Sequence, residues 1–173
     1  MEKEEARKIG INSRNSISSK ERNRRSHGIF MTLIPDLEKA EKIGCYVSFK
    51  SEVSTDEILA WCFAHNKEVY VPKVTGKTLS FYKIASLFDL KEGTFGVKEP
   101  ITDICIETDH LDLMIVPLTS FDKKGNRCGY GKGYYDSILN SCRYKVGLAF
   151  LEQEIDSIHC DWYDVQLDKI IAG

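Results

Sequence analysis

The pattern of apolar residues changes between the first 33 residues and the rest of the chain. Residues 1–33 carry isolated apolar positions among Lys, Arg and Glu, which predicts a helical arm. Ser18 with Glu21 forms a capping box that opens a second helix in this arm, and Pro35 is expected to end it. From residue 41 the apolar residues cluster in short runs instead. We therefore expect one domain over 1–173, with an α/β core over 41–173 and the arm appended to it.

The core region predicts strands separated by helices. Buried strands are expected at 43–49, 69–71, 79–84, 111–117, 144–150 and 167–172. Ser54 with Glu57 predicts a capped helix after the first strand, and a second helix is expected at about 133–139. Residues 91–101 show little periodicity and predict an ordered loop. Strand, helix and strand recur twice, so the pattern indicates two βαβ units and a mainly parallel sheet flanked by helices.

Charge is distributed unevenly along the chain, whose formal net charge is −2. Residues 1–27 hold eight Lys or Arg against four Glu, so the arm carries +4 and the remainder −6. A basic arm suits RNA, a membrane surface, a polyphosphate ligand, or simply a solvated helix face. No aromatic residue lies between its cations before Phe30, and the remainder is acidic, so we expect no nucleic-acid partner and no membrane partner.

The six cysteines contain no Cys-x-x-Cys pair, which excludes a zinc ribbon or a thioredoxin-type motif. Several lie in apolar runs, where cysteine behaves as a small buried hydrophobe. The amino terminus has no apolar signal core, and no apolar run approaches the length of a membrane span. Free thiols without an export signal predict a cytoplasmic protein.

A glycine-rich segment carries the candidate chemistry. Gly129, Gly131 and Gly133 lie between a predicted buried strand and a helix, at the sheet edge where α/β folds bind ligands. Glycine lets backbone N–H groups converge on phosphate oxygens, and Arg127 and Lys132 add cationic donors. The spacing matches neither a Walker A loop nor a dinucleotide-binding fingerprint. The alternative is a tight turn that binds nothing.

Asp136 follows these glycines at the start of the predicted helix. A carboxylate there complements the helix dipole. It is also a hard oxygen ligand of the kind Mg²⁺ takes together with phosphate and water. The sequence leaves both roles open.

At this point the residues resemble a known family. Arg127-x-Gly-x-Gly-x-Gly-Tyr-Tyr-Asp136, preceded by Phe121-Asp122 and Pro117, is similar to the signature of the 5-formyltetrahydrofolate cyclo-ligase family. Further matching blocks follow the family's order: Lys3-x-x-x-Arg7, Arg14-x-x-Ile-Ser18, residues 48–55 with Glu52, 95–100, 147–150 with Gln153, and 164–168. The resemblance implies a three-layer fold akin to sugar-phosphate isomerases and CoA-transferase-like proteins.

The resemblance also implies a reaction and its cofactors. Such an enzyme converts 5-formyltetrahydrofolate and ATP into 5,10-methenyltetrahydrofolate, ADP and phosphate, with Mg²⁺ as cofactor. Its expected partners are therefore a folate and ATP. The chain is expected to act as a monomer or a small homo-oligomer.

Site residues are carried over from the family by position in this sequence. The resemblance implies nucleotide binding by Lys3, Glu4, Glu5, Ala6, Arg7, Arg127, Cys128, Gly129, Tyr130, Gly131, Lys132, Gly133, Tyr134 and Tyr135. It implies catalytic roles for Arg127, Lys132 and Tyr134. It implies that Asp136 and Asp168 hold Mg²⁺. Folate contacts are implied for Glu52, Tyr130 and Tyr134, and less directly for Tyr82.

Two positions depart from the family pattern. Leu118 stands where the family usually has glycine, and is expected to narrow or reshape the folate pocket. Tyr130 stands where the family often has arginine, which removes a cation. Two alternatives stay open: an ATP-independent enzyme of the sugar-phosphate isomerase type, and a non-catalytic nucleotide- or RNA-binding module.

Overall fold

A seven-stranded sheet forms the centre of the computed structural model, which describes residues 1–173 apart from the side chain of Thr94. In chain order the strands are β1 (Lys42–Cys45), β2 (Glu68–Thr75), β3 (Thr78–Ile84), β4 (Leu90–Glu92), β5 (Lys98–Pro100), β6 (Cys105–Ile106), β7 (Leu113–Val116), β8 (Ser120–Phe121), β9 (Arg127–Cys128), β10 (Lys145–Ala149) and β11 (Lys169–Ala172). The α-helices are α1 (Lys3–Asn15), α2 (Ser19–Lys39), α3 (Asp56–Ala64) and α4 (Asp136–Leu139).

The strand order in the central sheet is β11-β10-β7-β1-β2-β3-β6. The first five of these pair in parallel, whereas β3 and β6 pair antiparallel at one edge. The mainly parallel α/β architecture and both predicted βαβ pairings, β1 with β2 and β7 with β10, are thus confirmed. The strand ends that hold ligands in such sheets are the carboxyl ends.

Strand β7 explains the layered core. Its four residues are all buried, and their side chains alternate between the two faces of the sheet. Leu113 and Ile115 join the core beneath α2 and α3, while Met114 and Val116 join a second core with α4. A strand buried on both faces has a continuous apolar run in its sequence, which explains why a strand could be predicted at 111–117.

The prediction that Pro35 ends the second helix was wrong. Helix α2 starts as expected, with the Ser18 side chain accepting a hydrogen bond from the Glu21 N–H at 3.2 Å, but it continues to Lys39. Leu33 and Leu37 are fully buried, so packing on either side of Pro35 favours the longer helix.

Other boundaries also differ from the sequence prediction. Helix α3 has Thr55 as its N-cap residue rather than Ser54; the Thr55 side chain makes no capping bond, and Ser54 Oγ accepts from the Asp56 N–H at 3.3 Å. The region expected to be a loop, 91–101, contributes to a hairpin of β4 with β5. A second short hairpin, β8 with β9, precedes the glycine loop, and α4 begins only at Asp136.

Helix α1 is packed tightly on the core. A Cβ atom added at Gly10 would lie 1.8 Å from the carbonyl oxygen of Thr119, so the helix axis approaches that backbone as only glycine permits. The terminal ammonium of Met1 donates to the Ser157 carbonyl at 3.1 Å, and the His159 N–H donates to the Met1 carbonyl at 2.8 Å. The basic arm therefore forms one wall of the core.

All six cysteines are free, four of them buried and two exposed, as expected from their spacing. No helix in the described part of the chain is long and apolar enough to cross a membrane.

Candidate active site

A cavity of about 780 Å³ opens at the carboxyl ends of the parallel strands. Its walls come from α1, from the segments after β1 and β7, from the β4–β5 hairpin, and from the glycine loop at 129–133. The described lining carries seven Lys or Arg side chains and five carboxylates, although the whole chain has a net negative charge. The volume suits ligands of cofactor size.

The glycine loop is conformationally suited to approach a ligand. Gly131 and Gly133 have φ values of +88° and +71°, a region that side chains disfavour. At Gly129 the constraint is steric, because an added Cβ would lie 2.5 Å from Nη2 of Arg127. The loop therefore exposes backbone around a buried guanidinium.

Arg127 lies at the base of this loop with its side chain only 4% exposed. Its Nη1 lies 3.5 Å from Oδ1 of Asp136, and its Nε is buried without a hydrogen-bond partner among the described residues. Burial lowers the pKa of Arg127, while the charges of Asp136 and Asp164 oppose that shift. A buried, partly unsatisfied guanidinium on a cavity wall favours binding of an anion.

Helix α1 brings two cations to the same end of the cavity. Arg7 donates from Nε to the carbonyl of Gly129 at 2.7 Å, and its guanidinium lies against Gly131. Nζ of Lys3 contacts Asp161 at 2.9 Å and Asp164 at 2.5 Å. Partial burial of Lys3 opposes a rise in its pKa, but the hydrogen bonds that it donates to these two carboxylates raise the pKa above its ordinary value.

The residues between these cations do not face the cavity. Glu4 is exposed and pairs with Lys8 at 3.4 Å, and Glu5 is exposed beside it in the first helical turn. Carboxylates there complement the helix dipole. Ala6 is buried against Cys128 and two isoleucines. The structure thus gives no cavity contact to the side chains of Glu4, Glu5 or Ala6, because only every third or fourth residue of a helix shares a face.

A half-buried carboxylate lies on another part of the cavity wall, beside Phe49 and Tyr130. Oε1 of Glu52 accepts from the Phe49 N–H at 2.7 Å, and Oε2 accepts from the Tyr130 hydroxyl at 3.1 Å. Burial raises the pKa of Glu52, while the Phe49 N–H and the charge of Arg14 oppose that rise. Removal from water and the Glu52 charge together raise the pKa of Tyr130 to about 12.

The other expected tyrosines and Lys132 have distinct positions. Tyr134 and Tyr135 are partly buried cavity residues, and Lys132 is an exposed one at the mouth. Tyr82 does not line the cavity, since β3 directs it toward Lys73. Apolar lining near Glu52 comes from Phe49, Val74, Leu79, Phe95 and Val97.

The prediction that the Leu118 side chain narrows or reshapes the folate pocket was wrong. Its side chain is 3% exposed and packs into the core near Gly147, so it does not line the cavity. Only its backbone is near the site, where its carbonyl accepts from Arg14 at 3.2 Å and from Gln153 at 3.2 Å.

The expected pairing of Asp136 with Asp168 is not formed. Asp168 precedes β11, where it accepts from the Lys145 N–H at 2.8 Å and pairs with Nζ of the same lysine at 3.1 Å. That is the amino end of β10 and β11, about 13 Å along the strands from the carboxyl end where the cavity opens. Asp168 therefore stabilises the amino-terminal ends of β10 and β11.

Asp164, four residues earlier, occupies the position that Asp168 was expected to hold. It lines the cavity with a side chain 11% exposed, and it and Asp136 are the two carboxylates whose charges act on Arg127. No group of three or more metal-ligating side chains occurs among the described residues. Two carboxylates beside the glycine loop do fit Mg²⁺, which takes its remaining ligands from phosphate and water.

Sequence reasoning missed Asp161, Asp164 and Arg14 as cavity residues. Asp164 belonged to a matched sequence block, but the irregular segment before β11 gives no periodicity to show which acid faces inward. Arg14 is 3% exposed, and its partners lie 37 to 116 residues away in sequence, so no local pattern pointed to them.

Comparisons with known proteins agree with this geometry. The model of the 5-formyltetrahydrofolate cyclo-ligase family matches residues 1–173. A 5-formyltetrahydrofolate cyclo-ligase of Haemophilus influenzae is 34% identical over 144 residues, covering 78% of this chain and 77% of that protein. The solved structure of a 5,10-methenyltetrahydrofolate synthetase from Aquifex aeolicus superimposes with a TM-score of 0.87 at 32% identity, covering 98% of this chain and 89% of that one.

A 5,10-methenyltetrahydrofolate synthetase from Mycoplasma pneumoniae gives a TM-score of 0.81 at 27% identity, covering 99% of this chain and 98% of that one. The similarity thus extends over the helical arm, the sheet and the cavity. Sequence motif, fold and full-length match lead to one assignment: the chain belongs to the 5-formyltetrahydrofolate cyclo-ligase family of enzymes.

Proposed function

We propose that this protein uses ATP and Mg²⁺ to cyclise 5-formyltetrahydrofolate to 5,10-methenyltetrahydrofolate, releasing ADP and phosphate. The observation that carries the proposal is a single cavity with two chemically different ends. One end has Arg7, Arg127 and the glycine loop, which suit a triphosphate. The other has Glu52 among apolar side chains, which suits a flat, hydrogen-bonding ring such as a pterin.

The chemistry explains why both ligands must share one cavity. The formamide oxygen on N5 is a poor leaving group, so N10 cannot close the ring by expelling it directly. Attack of that oxygen on the γ-phosphorus breaks the bond to ADP and forms an imidate-type phosphate. N10 then attacks the activated carbon within the same molecule and phosphate leaves with the oxygen, a step favoured by high effective concentration.

The protein's part in the transfer is to position groups and neutralise charge. Arg127 is already buried and directed at the loop, so it needs little reorganisation to contact phosphate oxygens. Arg7 holds the loop by its bond to Gly129, and Lys132 at the mouth adds a further cation. Tyr134 lies on the cavity wall, where its ring is suited to pack against the folate.

For the metal we propose Asp136 and Asp164 as the protein ligands. Mg²⁺ held by these two residues would neutralise negative charge on the nucleotide phosphates. In the absence of a nucleotide, Asp164 is held by Lys3, so binding would exchange that ion pair for contacts with metal and phosphate. Both carboxylates flank the guanidinium that the proposal assigns to phosphate binding.

The test is to mix purified protein, Mg-ATP and 5-formyltetrahydrofolate and to follow the near-ultraviolet absorbance of the methenyl product. We expect absorbance to rise only when all components are present, with ADP and phosphate formed in equal amounts. Mg-ATP should also raise Tm, which separates this function from an ATP-independent isomerase. A protein that forms no methenyl product under these conditions would refute the proposal.

A non-catalytic RNA-binding module receives little support from the arm. Lys3, Arg7 and Arg14 all turn into the cavity, and Arg24 and Arg25 pair with Glu21 on the outer helix. Few arm cations are left to form the broad basic face that nucleic-acid binding requires. An RNA mobility shift at physiological salt would detect such binding directly.

A further inference from the structure

Arg14 makes a set of contacts that the reaction outlined above does not use. It lies on α1 two turns after Arg7 and is 3% exposed, and each nitrogen of its guanidinium donates a hydrogen bond. Nε donates to Ser51 Oγ at 2.9 Å, Nη1 to the Leu118 carbonyl at 3.2 Å, and Nη2 to the Tyr130 hydroxyl at 2.5 Å. A buried arginine costs free energy unless its donors are satisfied in this way.

The direction of these hydrogen bonds indicates the protonation state of Glu52. Arginine only donates, so the Tyr130 oxygen accepts from Arg14 and its single proton is available for Glu52. The Tyr130 hydroxyl donates to Oε2 of Glu52 at 3.1 Å, and the Phe49 N–H donates to Oε1 at 2.7 Å. Both oxygens of Glu52 therefore act as acceptors, which is the pattern of an ionised carboxylate.

The pKa of Glu52 is raised overall by burial, but its hydrogen-bond partners and the charge of Arg14 favour the ionised form. The three opposing influences are the Phe49 N–H, the positive charge of Arg14 and the Tyr130 hydroxyl. Two tyrosines also feel the charge of Glu52, Tyr46 after β1 and Tyr135 before α4, and burial raises the pKa of both, so they remain neutral. From the remaining walls, Lys50, Lys98 and Glu99 line the same cavity.

We propose that Arg14 is a positioning residue, which acts through the Tyr130 hydroxyl to hold the Glu52 carboxylate in place for the N–H donors of the substrate ring. Each Glu52 oxygen has a second lone pair, so the carboxylate can accept two further bonds from a ring edge that offers adjacent donors. Tyr130 thus belongs to the folate end of the cavity although it lies in the glycine loop. This inference rests on the proposed function, because it assigns the residues that select its folate substrate.

The decisive variant is Tyr130→Phe, which removes one hydroxyl and keeps the ring. We expect the KM for 5-formyltetrahydrofolate to rise about tenfold or more, the loss typical of a hydrogen bond to a charged group, while the KM for ATP changes less than about twofold. As pH falls, the folate KM should begin to rise at a higher pH than in the wild type. The reason is that loss of a donor to the carboxylate raises the pKa of Glu52.

Tyr144→Phe is the matched control, since Tyr144 is a partly buried tyrosine packed on the core away from the cavity. Its folate KM and pH profile should equal those of the wild type. Arg14→Lys keeps the charge but cannot reach three partners, so it should reproduce the Tyr130→Phe profile and lower Tm as well. If Arg14→Lys does not fold, Tyr130→Phe still decides the question.

Three outcomes are distinguishable. A wild-type protein that forms no methenyl product overturns the proposed function and this inference together. An active wild type whose Tyr130→Phe variant keeps the folate KM and its pH dependence overturns the role of Arg14 and Tyr130 alone. A lower Tm without a change in either kinetic measure would show that the contacts serve stability only.

Discussion

Replacing Gly10 by alanine tests whether the docking of α1 holds the two ends of the cavity together. In a helix, Gly→Ala normally stabilises by about 1 kcal/mol, because alanine loses less backbone entropy on folding. At Gly10 the opposite is expected. The added Cβ would lie 1.8 Å from the Thr119 carbonyl oxygen and 2.6 Å from its carbon, distances at which backbone atoms cannot remain.

The magnitude follows from the movement required. Restoring a contact of 3.0 Å requires α1 to shift by at least about 1.2 Å, because the obstacle is backbone rather than a flexible side chain. Overpacking of this kind costs about 1–3 kcal/mol. The shift also stretches the 2.7 Å bond from Arg7 to Gly129 and the contacts of Arg14, each worth about 1.5–3 kcal/mol when intact.

After subtracting the gain in helix propensity, we expect Gly10→Ala to lower the free energy of unfolding by about 2–4 kcal/mol. For a chain of this size that corresponds to a fall in Tm of roughly 5–15 °C. The KM values for ATP and for the folate should rise together, since α1 contacts both ends of the cavity. Urea unfolding followed by circular dichroism and steady-state kinetics measure the two effects.

Gly28→Ala in α2 is the control. Gly28 also lies in a helix, but unlike Gly10 it is exposed, and a Cβ added there would meet nothing within 4 Å. This variant should be more stable than the wild type by about 0.5–1 kcal/mol, with unchanged kinetics. If Gly10→Ala were as stable as Gly28→Ala and kept both KM values, the close docking of α1 and its role in the site would be refuted.

Three further predictions test other parts of the structure. Asp164→Asn should raise the Mg²⁺ concentration for half-maximal activity by at least about tenfold, whereas Asp168→Asn should leave it unchanged and lower Tm; the reverse result would contradict the placement of the metal. Lys3→Ala with Arg7→Ala should weaken ATP binding by about 10- to 100-fold in titration calorimetry, because two cationic contacts to phosphate are lost, and an unchanged Kd would show that both side chains serve only docking. Burial alone would raise the pKa of Asp122, but the four N–H groups that donate to its carboxylate lower it. The stability that Asp122 contributes is therefore present above its unfolded-state pKa and lost as pH falls through the lower folded-state pKa. Asp122→Asn should make the free energy of urea unfolding depend less on pH in the acid range, and an unchanged pH dependence would contradict this role of Asp122.

The fold was predictable where burial imposes a regular pattern. Strand β7 is apolar at every position because both faces of the sheet are covered, and α3 shows its helical spacing at Ile58, Leu59 and Cys62, all buried. Pro35 shows the limit of local rules. It removes one helical donor, but burial of Leu33 and Leu37 outweighs that loss, and the sequence contains no direct measure of that burial.

The short hairpins were beyond a periodicity argument. Strands β8 and β9 have two residues each, and β4 and β5 have three, which is too few to establish an alternation. They nevertheless position the site, because β9 contains Arg127 and the β4–β5 hairpin forms a wall of the cavity. Their existence follows from tertiary contacts rather than from local propensity.

The residues of the candidate site also differ in whether the sequence could identify them. The glycine loop could be identified because glycine at every second position permits the positive φ values found at Gly131 and Gly133. Asp164 could not be distinguished from Asp168, since both belong to one matched block and the fold alone decides which carboxylate faces the cavity. The role of Tyr130 depends on Arg14, which is 116 residues away, so it appears only once the chain is folded.

The contact of α1 with residues 157–164 has a consequence for the order of events during synthesis. Lys3 meets Asp161 across 158 positions of sequence, and the Met1 ammonium meets Ser157 across 156. These contacts of α1 therefore form only after residues 157–164 have been synthesised, late in the production of this domain. A ribosome-bound intermediate that lacks residues 157–164 would display Lys3 without the two carboxylates that it meets in the folded chain.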